Sequence, residues 1–399
     1  MLIKRSTFLK TGSLATASLM LPRFLKAFEQ PMAVPPGNKV LVVLQLSGGN
    51  DGLNTVIPVR NDIYYSSRPR LGITRDKALS LTSETALHPS LLAFKELYDD
   101  GSLAIMNSVG YPNPDRSHFR SMDIWHSASN SNEYINTGWL GRYLDAQCSG
   151  CDKPTQALEI DDVLSMALKG EQAKALAMKD PRRLYNTANE KFFKDIAASH
   201  KDEAGEQPVD YLYKTMAETI SSADYIFQQS KLRPSKTEYP STELGKSFQT
   251  ISTLIQSDIN TKVYYLSLGS FDTHVAQEMQ QKRLFAEMNE AIKAFVKDLK
   301  LNNRFNDVLI TTFSEFGRRV AQNASGGTDH GTANNMFFIS GDLKQKGILN
   351  EAPDLTNLND GDLKHTVDFK DVYATILKNW LQADDKKILN RQGAYFSFV

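Results

Sequence analysis

Near-continuous apolar runs, each opening into a turn that carries an acidic residue or a histidine, most constrain the fold of this chain. KVLVVLQL runs into Ser47-Gly48-Gly49-Asn50-Asp51-Gly52, and VYYLSL into Gly269-Ser270-Phe271-Asp272-Thr273-His274. DVLITTF runs into Ser314-Glu315-Phe316-Gly317-Arg318, and the glycine-rich turn Thr328-Asp329-His330-Gly331 leads into NNMFFIS. Apolar runs without polar alternation are what strands buried on both faces require. In an open parallel sheet, ligands collect beyond the carboxyl ends of the strands. Four such ends would bring Asp51, Asp272 with His274, Glu315, and Asp329 with His330 toward one place. Carboxylate and imidazole together suit a divalent cation such as zinc, manganese or calcium.

Between these runs the chain has helical spacing. Leu91–Tyr98, Asn113–Ala128, Gly138–Ala146, Leu244–Ile259, Gln277–Leu299 and Asp368–Leu381 are expected helices, and Ser102–Val109 a further strand. Strand–helix alternation predicts an α/β fold: a three-layer α/β/α sandwich on a mostly parallel sheet. About 171–246 the chain is polar and charged with helical signals, which predicts a helical insertion into a domain spanning 37–399.

Residues 1–36 have the layout of an export signal. Lys4, Arg5 and Lys10 precede the small, apolar stretch Gly12–Leu21, and a proline-rich linker follows. The apolar stretch is too short for a stable membrane span; an N-terminal anchor helix is the other reading. Arg5-Ser6-Thr7-Phe8-Leu9-Lys10 is similar to a twin-arginine signal with Ser6 in the second arginine position. The expected location is periplasmic or extracellular. Cys148 and Cys151 are the chain's two cysteines. A local disulfide or two thiols in a structural loop fits them better than a redox or zinc motif, since neither a βαβ context nor further soft ligands accompany them.

Lys+Arg and Asp+Glu balance at 46 each, so no global charge argues for a nucleic-acid partner. Nothing in the chain specifies an oligomeric state.

Each candidate residue has a structural role beside a chemical one. Asp51 follows a Gly-Gly turn and is placed to cap a helix or to hold a metal; the glycine spacing matches neither a dinucleotide fingerprint nor a P-loop. Asp272 and His274, two apart on an extended segment, face the same way. Glu315 ends an apolar strand and needs a metal, an arginine such as Arg318 or Arg319, or backbone donors. Arg116-Ser117-His118 opens an expected helix. There Ser117 is a cap or, beside a metal, an activated nucleophile. His118 is a base or an orienting group, and Arg116 a fork for an ester oxygen.

At these residues the chain resembles a known family. The strings VVLQLSGGNDGLNTVIP, RSHFRSMDIW, GSFDTH, TTFSEFGRRVAQNASGGTDHGTANNMFFISG and DFKDVYATILKNWL are similar to the exported bacterial family called domain of unknown function 1501, within the alkaline phosphatase–sulfatase superfamily. The resemblance covers nearly all of the chain after the signal. It implies an alkaline phosphatase-like fold and a metal-dependent hydrolase of a phosphate or sulfate ester on a small molecule or polysaccharide. It further implies Ser117 as nucleophile, with Asp51, Asp272, His274, Glu315, Asp329 and His330 at the metal. The superfamily's Asp-His-Gly after an apolar strand matches Glu315-Phe316-Gly317, with Phe316 in place of a histidine; Asp329-His330-Gly331 is the alternative match. Loss of that ligand also fits an inactive binding or scaffold protein that keeps the fold. No Cys-x-Pro-x-Arg motif for a formylglycine sulfatase is present.

Overall fold

A computed structural model describes residues 39–147, 154–171, 175–199 and 208–399. Residues 1–36, the expected export signal, and both cysteines lie outside the described residues.

Twelve strands are named here in chain order. β1 is Val40–Leu46, β2 Val56–Pro58, β3 Leu79–Ser80, β4 Thr85–Leu87, β5 Leu103–Gly110 and β6 Ala157–Glu159. β7 is Leu176–Ala177, β8 Val263–Leu268, β9 Val308–Phe313, β10 Asn334–Ile339, β11 Gly347–Ile348 and β12 Val367–Asp368. The main sheet runs β11-β5-β10-β9-β1-β8-β6-β7, with β12 also on β5. β1 pairs in parallel with β8 and β9, and β6 with β8 and β7. β10 is antiparallel to both neighbours, β5 and β9. The central sheet is therefore mostly parallel, as expected.

Alternation along the strands feeds two cores. In β1, Val40, Val42, Leu44 and Leu46 face one core, while Leu41 and Val43 face the other. The period of two comes from the pleat, and burial of both sets is why the sequence shows no polar alternation. The first core is covered by α3 (Leu92–Asp99), α8 (Pro208–Leu232), α9 (Glu243–Gln256) and α10 (Gln277–Leu301). The second is covered by α4 (His118–Ser127), α5 (Trp139–Gln147), α11 (Phe369–Thr375) and α12 (Asp385–Leu389). The result is an α/β/α sandwich.

Several local expectations shift. The helix after β5 starts at His118 rather than near Asn113. Asn113 has φ 52, and Pro114 bars it from helical backbone. The C-terminal helix gives way at Ile376–Trp380 to a π-helical turn that buries Ile376, Leu377 and Trp380. The polar segment about 171–246 contributes the edge strand β7 and then α6 (Pro181–Ala188), α7 (Lys191–Ser199) and α8, whose Ile226 enters the first core. A small antiparallel sheet, β2-β4-β3, was not foreseen. With α1 (Gly52–Thr55) and α2 (Asp62–Ser67) it builds a satellite core of Leu53, Ile57, Tyr64 and Val320.

Candidate metal centre

The parallel strands β1, β5, β8 and β9 deliver their following loops to one edge of the sheet. β10 runs the other way, so the turn before it, Thr328–Gly331, reaches that same edge. The loops can approach closely because the β1 turn has no side chains in the way. Gly48 has φ 117, and a Cβ there would lie 2.5 Å from the Asp272 backbone nitrogen. Gly49 has φ 78, and a Cβ there would lie 2.3 Å from the Phe316 ring.

Arg318 ties the loops together. Its guanidinium is wholly buried and donates to the carbonyls of Gly48, Gly49, Phe271 and Thr328 and to Asp272 Oδ1, the last at 2.7 Å. Nε, Nη1 and Nη2 each find an acceptor, and Nη2 alone meets three. The sequence suggested Arg318 as a partner for Glu315; it pairs instead with Asp272.

Three imidazoles surround Asp272, each fixed through Nδ1. His118 Nδ1 lies 2.9 Å from Glu315 Oε1, His274 Nδ1 lies 3.2 Å from Asp329 Oδ1, and His330 Nδ1 lies 2.9 Å from the Arg116 carbonyl. A carbonyl can only accept, so His330 carries its proton on Nδ1. The two carboxylates assign the same tautomer to the other rings. Each Nε2 is thereby turned toward Asp272. His274 and His330 each approach Oδ1 at 3.1 Å, and His118 approaches Oδ2 at 3.5 Å. His274 Nε2 and His330 Nε2 are 3.0 Å apart. These separations approach the roughly 3.3 Å between ligands in a tetrahedral shell with metal–nitrogen bonds of about 2.0 Å. An acceptor on the far nitrogen of each ring is the usual support of a metal-binding histidine. His118 Nε2 is buried without a hydrogen-bond partner, and His118, Asp272 and His330 offer donor atoms all within 4.8 Å of one another. The donor set fits a divalent cation.

Electrostatics agree with this placement. Burial pushes the Asp272 carboxyl up, but the hydrogen bond from Arg318 and the neighbouring imidazoles of His330 and His274 outweigh it and hold the pKa at about 2. The hydrogen bond to Glu315 raises the His118 pKa against the opposing effect of burial. Asp329 is lowered by its hydrogen bond from Asn323 and, after a smaller burial effect, by His274.

Two predicted site residues stand apart from this cluster. Asp51 is buried and fully engaged: it caps α1 through the Leu53 N–H, pairs with Arg68 Nη1 at 2.5 Å and accepts from Gln277. Glu315 accepts from the Gly48 N–H at 2.8 Å and braces His118, so it acts one step behind the cluster. The Arg116 side chain is committed to Asp362, while its carbonyl holds His330. Ser117 is exposed at the start of α4 and makes no side-chain cap bond, which leaves its hydroxyl free of that duty. His118 joins the imidazole cluster itself. Phe316, buried, packs against His118 and His330 with ring centroids 4.9 and 4.6 Å away. Sequence reasoning missed Arg68, Gln277 and Asp362, none of which stands in a motif. His88 and His126 are buried away from the cluster, where burial lowers both pKa values to about 4.

Space for a ligand adjoins the cluster on two sides. A cleft of about 520 Å³ is lined by Ser270, Asp272, Thr273, Val275, Met279 and Arg283, among others. A cavity of about 270 Å³ is lined by Tyr111, Asn113, Phe316, Thr332, Lys364 and His365, among others.

The family model described as "Protein of unknown function (DUF1501)" matches residues 103–398. No curated protein matches the chain in sequence. Among solved structures, the chain is similar to the phosphonate monoester hydrolase SpPMH from Silicibacter pomeroyi, at 8% identity and TM-score 0.43, over 90% of this chain and 76% of that one. It is similar to the PsFucS1 sulfatase from Pseudoalteromonas sp., at 11% identity and TM-score 0.39, over 96% and 76%. It is also similar to the C-terminal periplasmic domain of EcEptC from Escherichia coli in complex with Zn, at 10% identity and TM-score 0.35, over 78% and 77%.

Proposed function

We infer a function for a chain that belongs to the DUF1501 family: it is an exported, metal-dependent hydrolase of a phosphate or sulfate ester. The observation that carries the reading is the set of three imidazoles, each fixed through Nδ1 and each turning Nε2 to Asp272. Asp272, His274 and His330 would hold one divalent cation, with Asp329 behind His274. The nitrogen-rich set suits zinc best, since manganese and still more calcium lean toward oxygen ligands. Bound there, the cation would supply Lewis acidity to a hydroxyl and to the ester oxygens.

The chain's own residues would do the rest. Ser117, uncommitted as a cap, would attack the ester centre and expel the alcohol, and water would then cleave the resulting Ser117 ester to release phosphate or sulfate. The first N–H groups of α4 would face the ester's anionic oxygens, where the helix dipole favours negative charge. His118, held by Glu315 and raised in pKa, would carry a proton at Nε2 between Ser117 and the leaving group. Phe316 and the glycine turn would exclude water from one side. Substrates would be small-molecule or polysaccharide esters. Residues 1–36 would direct export, and about 171–246 would be an inserted helical section; among the described residues, no helix is long and apolar enough to cross a membrane.

A second reading, a binding protein without turnover, is favoured by one observation. Arg68 occupies Asp51, and Phe316 packs an apolar ring against His118 and His330, so a second cation has few ligands left. A screen of p-nitrophenyl phosphate and sulfate esters with added zinc or manganese separates the two. The hydrolase reading expects turnover that Ser117→Ala abolishes and His118→Gln lowers by roughly 10²–10⁴-fold, with metal content unchanged in Ser117→Ala. Bound metal without turnover of any ester would favour the binding protein.

A further inference from the structure

Beside the imidazoles, two arginines share one buried carboxylate. Arg116 and Arg319 have side chains 39% and 35% exposed, and both lean on the wholly buried Asp362. Arg116 Nη2 donates to Asp362 Oδ2; Arg319 Nε stands 3.6 Å from Oδ1, which receives no hydrogen bond. Asn359 and Asp362 exchange backbone hydrogen bonds of 2.9 and 3.0 Å around a two-residue turn. The turn residues Asp360 and Gly361 have φ 51 and 83, the signs of a type I′ turn. The turn holds Asp360 Oδ2 3.4 Å from Arg319 Nη2 and 3.7 Å from Arg116 Nη2. One carboxylate oxygen thus stands between two guanidiniums.

Both arginines are built into the metal centre's frame. The Arg116 carbonyl fixes His330, and the Arg319 N–H donates to the Asp329 carbonyl at 3.0 Å. Asp362 balances one of their charges from inside. The other is met from outside by Asp360, 79% exposed, with Asp329 also acting on Arg319, and exposed ion pairs are weak. A sulfate or phosphate group offers planar guanidinium forks more acceptor oxygens than the Asp360 carboxylate does.

We propose that Arg116 and Arg319 form a subsite for a second oxyanion of the substrate, and that Asp360 occupies this subsite until such a group displaces it. The word substrate rests on the hydrolase reading; the anion site does not. The substrate is then an ester that carries a further sulfate or phosphate beside the reacting group.

The test is calorimetric titration of sodium sulfate into the full chain as purified, at constant ionic strength, with metal content measured in every sample. Asp360→Asn suits the positive φ, because asparagine tolerates left-handed backbone. The variant is expected to tighten sulfate binding by roughly fivefold. Arg319→Gln added to it should remove the gain. Unchanged affinity in Asp360→Asn, or a gain that survives Arg319→Gln, would overturn the proposal. Failure of ester turnover leaves this comparison intact, and failure here leaves the turnover screen intact.

Discussion

Glu315 stands at the end of an apolar strand and is almost fully buried, yet its charge is met without a metal or an arginine. The Gly48 N–H and His118 Nδ1–H both donate to Oε1. Its need for a partner was legible in the sequence. Which partner it takes was not, because His118 lies 197 residues away. Asp51 likewise takes the capping role that its place before a helix allows, and its further partner Arg68 stands outside any motif. Breaking such a buried pair by removing one side chain typically costs about 3–5 kcal/mol, so Asp51 holds the fold near the site together. Glu315→Gln keeps an acceptor for both donors and removes the charge. The His118 pKa, raised chiefly by this contact, should then fall toward its ordinary value. Imidazole resonances followed by NMR during an acid titration of metal-free protein would show it; an unmoved His118 midpoint would contradict the assigned bond.

The reversed direction of β10 gathers the site at the scale of elements. Its apolar run was legible as a strand, but direction is a property of pairing, and nothing local in NNMFFIS encodes it. Had β10 been parallel, Asp329 and His330 would lie at the opposite sheet edge from Asp272. The glycine turn after β1 was legible as permissive backbone; what it permits, contact with Phe316 and the Asp272 backbone, needed the fold. Gly49→Ala places a methyl group on the Phe316 ring at a positive φ. The ring must move, and with it the two imidazoles it packs against. We expect at least a tenfold loss of metal affinity, within the roughly 10–100-fold range of outer-shell changes, while the far-UV circular dichroism is kept. Wild-type affinity in this variant would show that Phe316 does not position the rings.

The sandwich was legible for the molecule as a whole because doubly buried strands show up as unbroken apolar runs. Strand order was not, since β9-β1-β8-β6 joins segments hundreds of residues apart. The two-residue strands β3, β7, β11 and β12 are too short to carry a pattern. Global stability should bend with pH through Glu159 at the end of β6. Burial lifts its pKa to about 7, while the unfolded chain loses this proton near 4.3. Between those values the folded state binds the extra proton, so stability falls as pH rises through the window. The fall totals on the order of 3 kcal/mol and levels off above pH 7. Denaturant melts at pH 5 and pH 8.5 should show this loss in wild type and a smaller one in Glu159→Gln; equal losses would place the alkaline sensitivity elsewhere. The centre itself is tested most directly by the metal content of the purified full chain, measured by mass spectrometry beside Asp272→Ala/His274→Ala. About one zinc or manganese per chain, lost in the double variant, is the predicted result. No metal bound or taken up on reconstitution, or metal retained by the variant, would contradict it.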